Sequence, residues 1–238
     1  MKNQNQYKNI LDKFICNTKF IPLFVMLLIS QMVLAQTSEN KNSIQSEAEF
    51  WYGISVEKKI NKKWNIGLEE NLRLNESGRQ FGTLLFETHL SYKLSKKLRL
   101  KAAYRYSFKK ASSSNVQRLS IAANRKWKIN KRWRLSHRLK YQYDFTPNRQ
   151  ETRKLLRYKS EVTYNIRKSK WNPFFSAECF YRFYYKGNHF ERYRLAIGGD
   201  YKWHKRQAFS FAYMQERDLN ENVREITNIL NVAYSFDF

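Results

Sequence analysis

Residues Trp133–Phe145 read WRLSHRLKYQYDF. The odd positions hold Trp133, Leu135, His137, Leu139, Tyr141, Tyr143 and Phe145, and the even positions hold Arg134, Ser136, Arg138, Lys140, Gln142 and Asp144. One set is greasy and the other strongly polar. A helix, with its period of 3.6, would mix the two sets, whereas a strand keeps them on opposite faces. The stretch therefore predicts a β-strand with one face in an apolar medium and the other in water.

The same texture recurs along the chain. Leu98, Leu100, Ala102, Tyr104, Tyr106 and Phe108 alternate with Arg99, Lys101, Ala103, Arg105 and Ser107. Trp64, Ile66, Leu68, Leu72 and Leu74 alternate with Asn65, Gly67, Glu69, Asn71 and Arg73. Phe175, Ala177, Cys179, Tyr181 and Phe183 alternate with Ser176, Glu178, Phe180 and Arg182, and Leu195, Ile197 and Tyr201 with Arg194, Ala196 and Asp200. Soluble strands average about 5–6 residues, whereas tilted membrane strands need about 9–11, and these segments match the latter. Short basic turns centre near Asn61–Lys62, Ser95–Lys97, Asn130–Lys131, Lys168–Lys170 and His204–Lys205. Polar loops fall between them at Asn75–Gln80, Lys109–Asn115, Thr146–Glu151, Lys186–His189 and Arg217–Asn222. The pattern predicts an all-β, transmembrane, antiparallel up-and-down barrel of about 10–12 strands, with short periplasmic turns and longer extracellular loops. Eleven segments are visible, and bacterial barrels usually have even counts. An odd number would place the start of the wall on the outer side.

Composition fits this picture. Aromatic residues make up 16% of the 238 residues while mean hydropathy is −0.75. A formal charge of +25 invites a nucleic-acid reading. The N-terminus argues against it. Lys2, Lys8, Lys13 and Lys19 precede an apolar run, Ile21 to Leu34, which ends at Ala35. This has the form of a secretory signal peptide, 1–35, cleaved after Ala35. Its removal would lower the formal charge to +22. A short polar segment, 36–46, and a barrel, 47–238, would follow. Export to the bacterial outer membrane excludes nucleic acid as partner. It leaves membrane lipids, lipopolysaccharide and the barrel assembly machinery, around a monomer. Cys16 lies in the signal, so Cys179 alone remains and can form no internal disulfide.

Two further features point to a membrane. Trp64, Trp127, Trp133, Trp171 and Trp203 all fall near short turns, as an aromatic girdle at one interface would. Tyr234, Phe236 and Phe238 share one face of the final segment, and Phe238 is the last residue. An amphipathic strand ending in Phe resembles the signal that assembly machinery reads.

Several strings also resemble the DUF2490 family: Phe50–Leu74 (FWYGISVEKKINKKWNIGLEENLRL), Tyr104-Arg105-Tyr106, Leu139-Lys140-Tyr141-Gln142-Tyr143 and the Phe-terminated end. The resemblance implies an outer-membrane β-barrel of a Bacteroidota-type bacterium with no assigned activity. It carries no functional residues with it.

The polar faces hold the candidate site. They predict a basic lumen of Arg99, Lys101, Arg105, Arg134, Arg138, Lys140, Arg157, Arg182 and Arg194, with Arg73, Arg118, Lys159 and Arg192 beside them. Glu69, Glu87, Glu161, Glu178 and Asp200 are the expected acidic partners, with Glu57. Such a lumen is either a closed interior braced by ion pairs or a narrow path that prefers anions. A lipid- or lipopolysaccharide-modifying enzyme is the alternative, with His189 beside Glu191 as the candidate base and Ser112–Ser114 in an outer loop. A third reading is a structural barrel whose Arg149, Arg153, Lys154 and Arg192 contact lipopolysaccharide phosphates. No cofactor is implied, and no His, Asp or Glu cluster shows metal-ligand spacing along the chain.

Overall fold

The structure is a computed structural model that describes residues 45–75, 79–109, 115–146, 152–185, 187–219 and 225–238. The expected signal peptide, Ser112–Ser114 and Arg149 lie outside them. Among the described residues, eleven strands form one closed barrel. They are β1 (Gln45–Lys59), β2 (Trp64–Asn75), β3 (Gln80–Lys93), β4 (Leu98–Lys109), β5 (Val116–Lys128) and β6 (Trp133–Phe145), then β7 (Thr152–Tyr164), β8 (Trp171–Phe183), β9 (His189–His204), β10 (Gln207–Asp218) and β11 (Glu225–Asp237). Each runs twelve to sixteen residues. Twelve residues extend about 40 Å, and at a tilt of about 40° they cover the roughly 30 Å of a bilayer core.

The odd count has one consequence. Consecutive strands pair antiparallel, so β1 and β11 run the same way and close the barrel in parallel, from Gln45 opposite Glu225 to Glu57 opposite Asp237. The wall is thus up-and-down everywhere except at this seam. It begins at Gln45, slightly ahead of the expected Glu47, on the rim that carries the loops. The seam is tied at its other end, where the Phe238 amide donates to the Glu57 carbonyl at 2.8 Å.

The two rims differ less than expected. Connections on the turn rim have two to six residues and those on the loop rim four to six.

The turns have a shared construction. Asn61 Oδ1 accepts from the amides of Lys63 and Trp64 at 2.8 and 2.9 Å, and Asn130 Oδ1 accepts from Arg132 and Trp133 at 2.8 Å each. Ser95 Oγ does the same for Lys97 and Leu98 at 3.2 and 3.1 Å. A short side-chain acceptor imitates a backbone turn and frees the next strand to start at once. The strings NKKW, SKKL and NKRW are this device.

The tryptophans follow from it. Trp64 pairs across the sheet with Tyr92, Trp133 with Tyr164 and Trp171 with Tyr201, with ring centroids 4.7, 4.8 and 5.0 Å apart. Trp203 sits 5.6 Å from Phe209, and Trp127 meets His137 edge-on at 4.8 Å. The five expected tryptophans thus gather toward the turn rim, each against an aromatic or imidazole ring. The outer wall between the rims is apolar and exposed, with Leu68 62% and Ile121 64% accessible. The interior is polar and buried, with Glu87 at 3% and Gln142 at 1%. This inversion of the soluble arrangement needs a nonpolar solvent outside.

Candidate functional site

Alternation along β2–β10 points the polar sets inward. Arg99, Lys101, Arg105, Arg138, Lys140, Arg157, Arg182 and Arg194 all line one cavity of about 1020 Å³. Arg134 is the exception. It lies one residue into β6 and is exposed beside the turn, because the wall ends there. Glu69 and Glu87 line the same cavity, while Glu161, Glu178 and Asp200 line a smaller one of about 240 Å³.

Three groups of ion pairs brace the wall. Toward the turn rim, Lys101 Nζ lies 2.8 Å from Glu69 and 3.1 Å from Glu87, and Arg105 Nη2 lies 2.7 Å from Glu87. Near mid-height, Glu178 accepts from Arg138 at 3.0 Å and from Arg157 at 3.0 Å. Toward the loop rim, Glu216 holds Arg192 and Arg194, Asp144 holds Arg118, and Glu191 holds Arg153 and Arg182. Lys159 pairs with Glu161 along its own strand at 2.8 Å, and Asp200 stands opposite Ser210.

Glu191 and Glu216 are functional-site residues that sequence reasoning missed, and Asp144, read on the polar face of its strand, was not expected as an acidic partner. Glu191 reads as a loop neighbour of His189. A bulge in β9 opposite Phe180 and Tyr181 makes Glu191 the extra residue and turns it inward beside Arg192. Its carboxylate accepts from Arg153 Nε at 3.1 Å and Arg182 Nη1 at 3.4 Å. His189 instead bonds the Gly187 carbonyl at 3.2 Å. The expected base is thus not oriented by Glu191. Arg153 and Arg192, expected at lipopolysaccharide phosphates, turn into the lumen. Lys154 stays over the Tyr143 ring at 6.0 Å.

Part of the interior is packed with rings. Phe180 is 4% accessible, with the guanidinium carbons of Arg157, Arg194 and Arg192 at 4.4, 5.3 and 5.8 Å from its centroid. Trp51 carries Arg73 at 3.8 Å and Arg194 at 5.1 Å, and its indole donates to Glu49 at 2.6 Å. Leu155 and Ile229 are fully buried alongside. Guanidinium planes stack on aromatic faces without losing their edges to carboxylates. Trp51, the one tryptophan away from the turn rim, is therefore a lumen residue. Its even spacing from Gly53 and Ser55 is the signal that could have revealed this.

Beyond this shelf the large cavity remains open. Its lining reaches from Ser95–Lys97 in the β3–β4 turn to Lys109, Thr146 and Thr152 on the loop rim. Among the described residues, seventeen Lys and Arg border it, against the carboxylates of Glu57, Glu69, Glu87, Asp144 and Glu216. Ion pairs brace the lumen, and the cavity lies beside them.

The histidines part company. His137 faces outward and bonds Tyr158 Oη through Nδ1 at 2.6 Å. His89 is buried inside at 6% accessibility. Contrary to the spacing along the chain, the fold brings Glu69, Glu87 and His89 together, with one ligand-type atom of each within 4.8 Å of the others.

The sequence matches the profile of a protein family of unknown function, DUF2490, over residues 48–226. The chain belongs to this family. None of the curated proteins is similar to it in sequence. Solved structures are similar in fold at low identity. A bacterial polysaccharide outer-membrane secretin aligns with TM-score 0.52 and 13% identity, over 74% of this chain and 63% of the secretin. The chain thus spans less than two thirds of that protein's length. The β-domain of the Bordetella autotransporter BrkA aligns with TM-score 0.51 and 13% identity, over 74% and 83%. The NanC porin aligns with TM-score 0.51 and 14% identity, over 80% of this chain and 98% of the porin. This DUF2490 chain therefore has the fold of outer-membrane β-barrels.

Proposed function

We propose that this DUF2490 protein is a narrow, anion-preferring channel in the outer membrane of a Bacteroidota-type bacterium, the group its family resemblance implies. One observation carries the reading. A single cavity reaches from the turn rim to the loop rim, and its cationic groups outnumber its carboxylates more than threefold. Rings of Arg and Lys along a pore lower the barrier to anions and raise it for cations. The cavity runs beside the Trp51–Phe180 shelf, so the path is narrower than the barrel.

On this reading the chain is exported through a signal peptide cleaved after Ala35. It is inserted as a monomer by assembly machinery that reads Tyr234, Phe236 and Phe238, and settles in lipid and lipopolysaccharide. The three aromatics support this by sharing the outer face beside the seam, with Phe236 and Phe238 rings 4.5 Å apart.

Planar-bilayer recording of the purified barrel under a potassium chloride gradient tests the function. Discrete steps with a reversal potential displaced toward chloride are expected. An absence of steps, or a cation-selective reversal potential, would overturn it.

A further inference from the structure

The lumen is cationic almost throughout, but its turn-rim end on β1–β3 carries Glu57, Glu69 and Glu87 around one imidazole. His89 sits among them. Its Nδ1 lies 3.4 Å from Glu69 Oε1 and its Nε2 lies 3.8 Å from Glu57 Oε2. The ring is 5% accessible, yet Nδ1 has no hydrogen-bond partner among the described residues. A buried ring nitrogen without a partner costs free energy, and native structures rarely leave one so. The fold also makes room for this ring. Gly67 lies opposite His89 in the register, and a Cβ there would overlap the imidazole.

From this geometry we infer a divalent transition-metal site built by His89 Nδ1 and one oxygen each of Glu69 and Glu87, of the class zinc occupies. Zinc binds imidazole nitrogen and carboxylate oxygen at about 2.0–2.2 Å in tetrahedral sites, and a water commonly fills an open fourth position. That geometry separates ligand atoms by about 3.5 Å. One ligand-type atom of each residue already lies within 4.8 Å of the others, and Nδ1 is 3.4 Å from Glu69 Oε1, so small rotamer changes close the shell. Arg105 secures the second carboxylate by holding the other oxygen of Glu87, Oε2, at 2.7 Å. A held outer oxygen orients the inner one, as groups beyond the ligands do in metal sites.

Lys101 occupies the position that the ion would take. Its ammonium lies 2.8 Å from Glu69 Oε1 and 3.1 Å from Glu87 Oε1, the same oxygens assigned to the metal. It is a resident cation on a flexible stem, bordering the open cavity. Metal entry replaces one positive group by another and swings Lys101 into the adjoining cavity. The site is thereby a competition between ammonium and metal, and Lys101 sets its affinity.

Isothermal titration of Zn²⁺ into the intact barrel in detergent, free of chelating tags, tests this at neutral pH. One zinc per barrel is expected. His89→Ala should weaken binding by at least about tenfold. Lys101→Met keeps all three ligands and should tighten it by a similar factor. A heat-modifiability gel establishes that each variant is folded. No binding to the wild type, equal binding to folded His89→Ala, or no gain in Lys101→Met would each overturn the assignment. Because the readout is binding rather than conductance, the outcome is separate from that of the channel.

Discussion

Arg157 grips Glu178 through Nη2, 3.0 Å from each carboxylate oxygen, and through Nε, 3.2 Å from Oε1. The pair forms across neighbouring strands, since Arg157 is opposite Phe180 and Glu178 opposite Lys159. Arg138 and Arg194 also approach the same carboxylate, at 3.0 and 3.7 Å. One acid thus compensates three guanidinium groups at the centre of the barrel. Glu178→Gln should leave those charges facing one another, and breaking a buried pair costs about 3 kcal/mol or more. The expected result is a lower urea midpoint for unfolding in detergent, with the barrel still heat-modifiable at room temperature. An unchanged midpoint would show that lumen water already screens the cluster.

Arg73 bears on selectivity instead. It stacks on Trp51 at 3.8 Å, and its Nε has no hydrogen-bond partner among the described residues. On the channel reading, its charge faces an ion in the cavity it lines. Removing one unit charge about 5 Å from a hydrated path is worth about 1 kcal/mol, or roughly fivefold in relative permeability. Arg73→Gln should reduce the chloride-to-potassium permeability ratio by about that factor while single channels persist. Trp51→Phe, which keeps a ring beneath the guanidinium, should leave the ratio near wild type. Reversal potentials of the two variants provide the check.

How much of this could be read from the sequence depends on the range of the interaction. The period-2 alternation of Trp133–Phe145 reports which face each side chain takes, because that is a local property of a strand. The lumen residues Arg138, Lys140, Arg157 and Arg194, and the tryptophans by the turns, were legible for that reason. Pairing was not. Glu216 and Arg194 meet because β9 and β10 adopt one register, and Glu191 turns inward because of a bulge that alternation alone hides. The parallel seam was equally hidden. Counting gives eleven segments, but only closure shows that β1 can accept β11 without a twelfth. His89, Glu69 and Glu87 lie on two strands, so their convergence is again a matter of register.

The turn asparagines have a different kind of effect. Asn130 Oδ1 accepts two amides at 2.8 Å each and starts β6 directly at Trp133. Asn61 does the same ahead of Trp64. Asn→Ala at either site leaves two rim amides to water and removes a local bias toward the turn, at a cost of about 1 kcal/mol. Each substitution should lower the urea midpoint slightly, and the double variant should be additive because the turns are distant. Conductance should be unaltered, since neither residue borders the main cavity. Refolding into detergent followed by gel mobility gives the first measurement and bilayer recording the second.

The orientation of the whole wall can be challenged at two adjacent residues. Ile121 lies in the middle of β5, is 64% accessible and faces away from the interior. Ser120, the preceding residue, lines the cavity at 8% accessibility. If the outer face meets hydrocarbon, Ile121→Arg places a charge near the bilayer midplane and costs about 2–4 kcal/mol. The same change would be almost neutral on a water-facing wall. Folding into lipid vesicles should therefore be strongly impaired for Ile121→Arg. Ser120→Asn, which adds a polar group of modest size on the inner face, should fold nearly as well as wild type. Equal folding of Ile121→Arg and wild type would place water on the outside of the barrel and remove the membrane from the account. Impairment confined to Ile121→Arg would fix the apolar face against lipid, because the two sites differ by one position along a single strand.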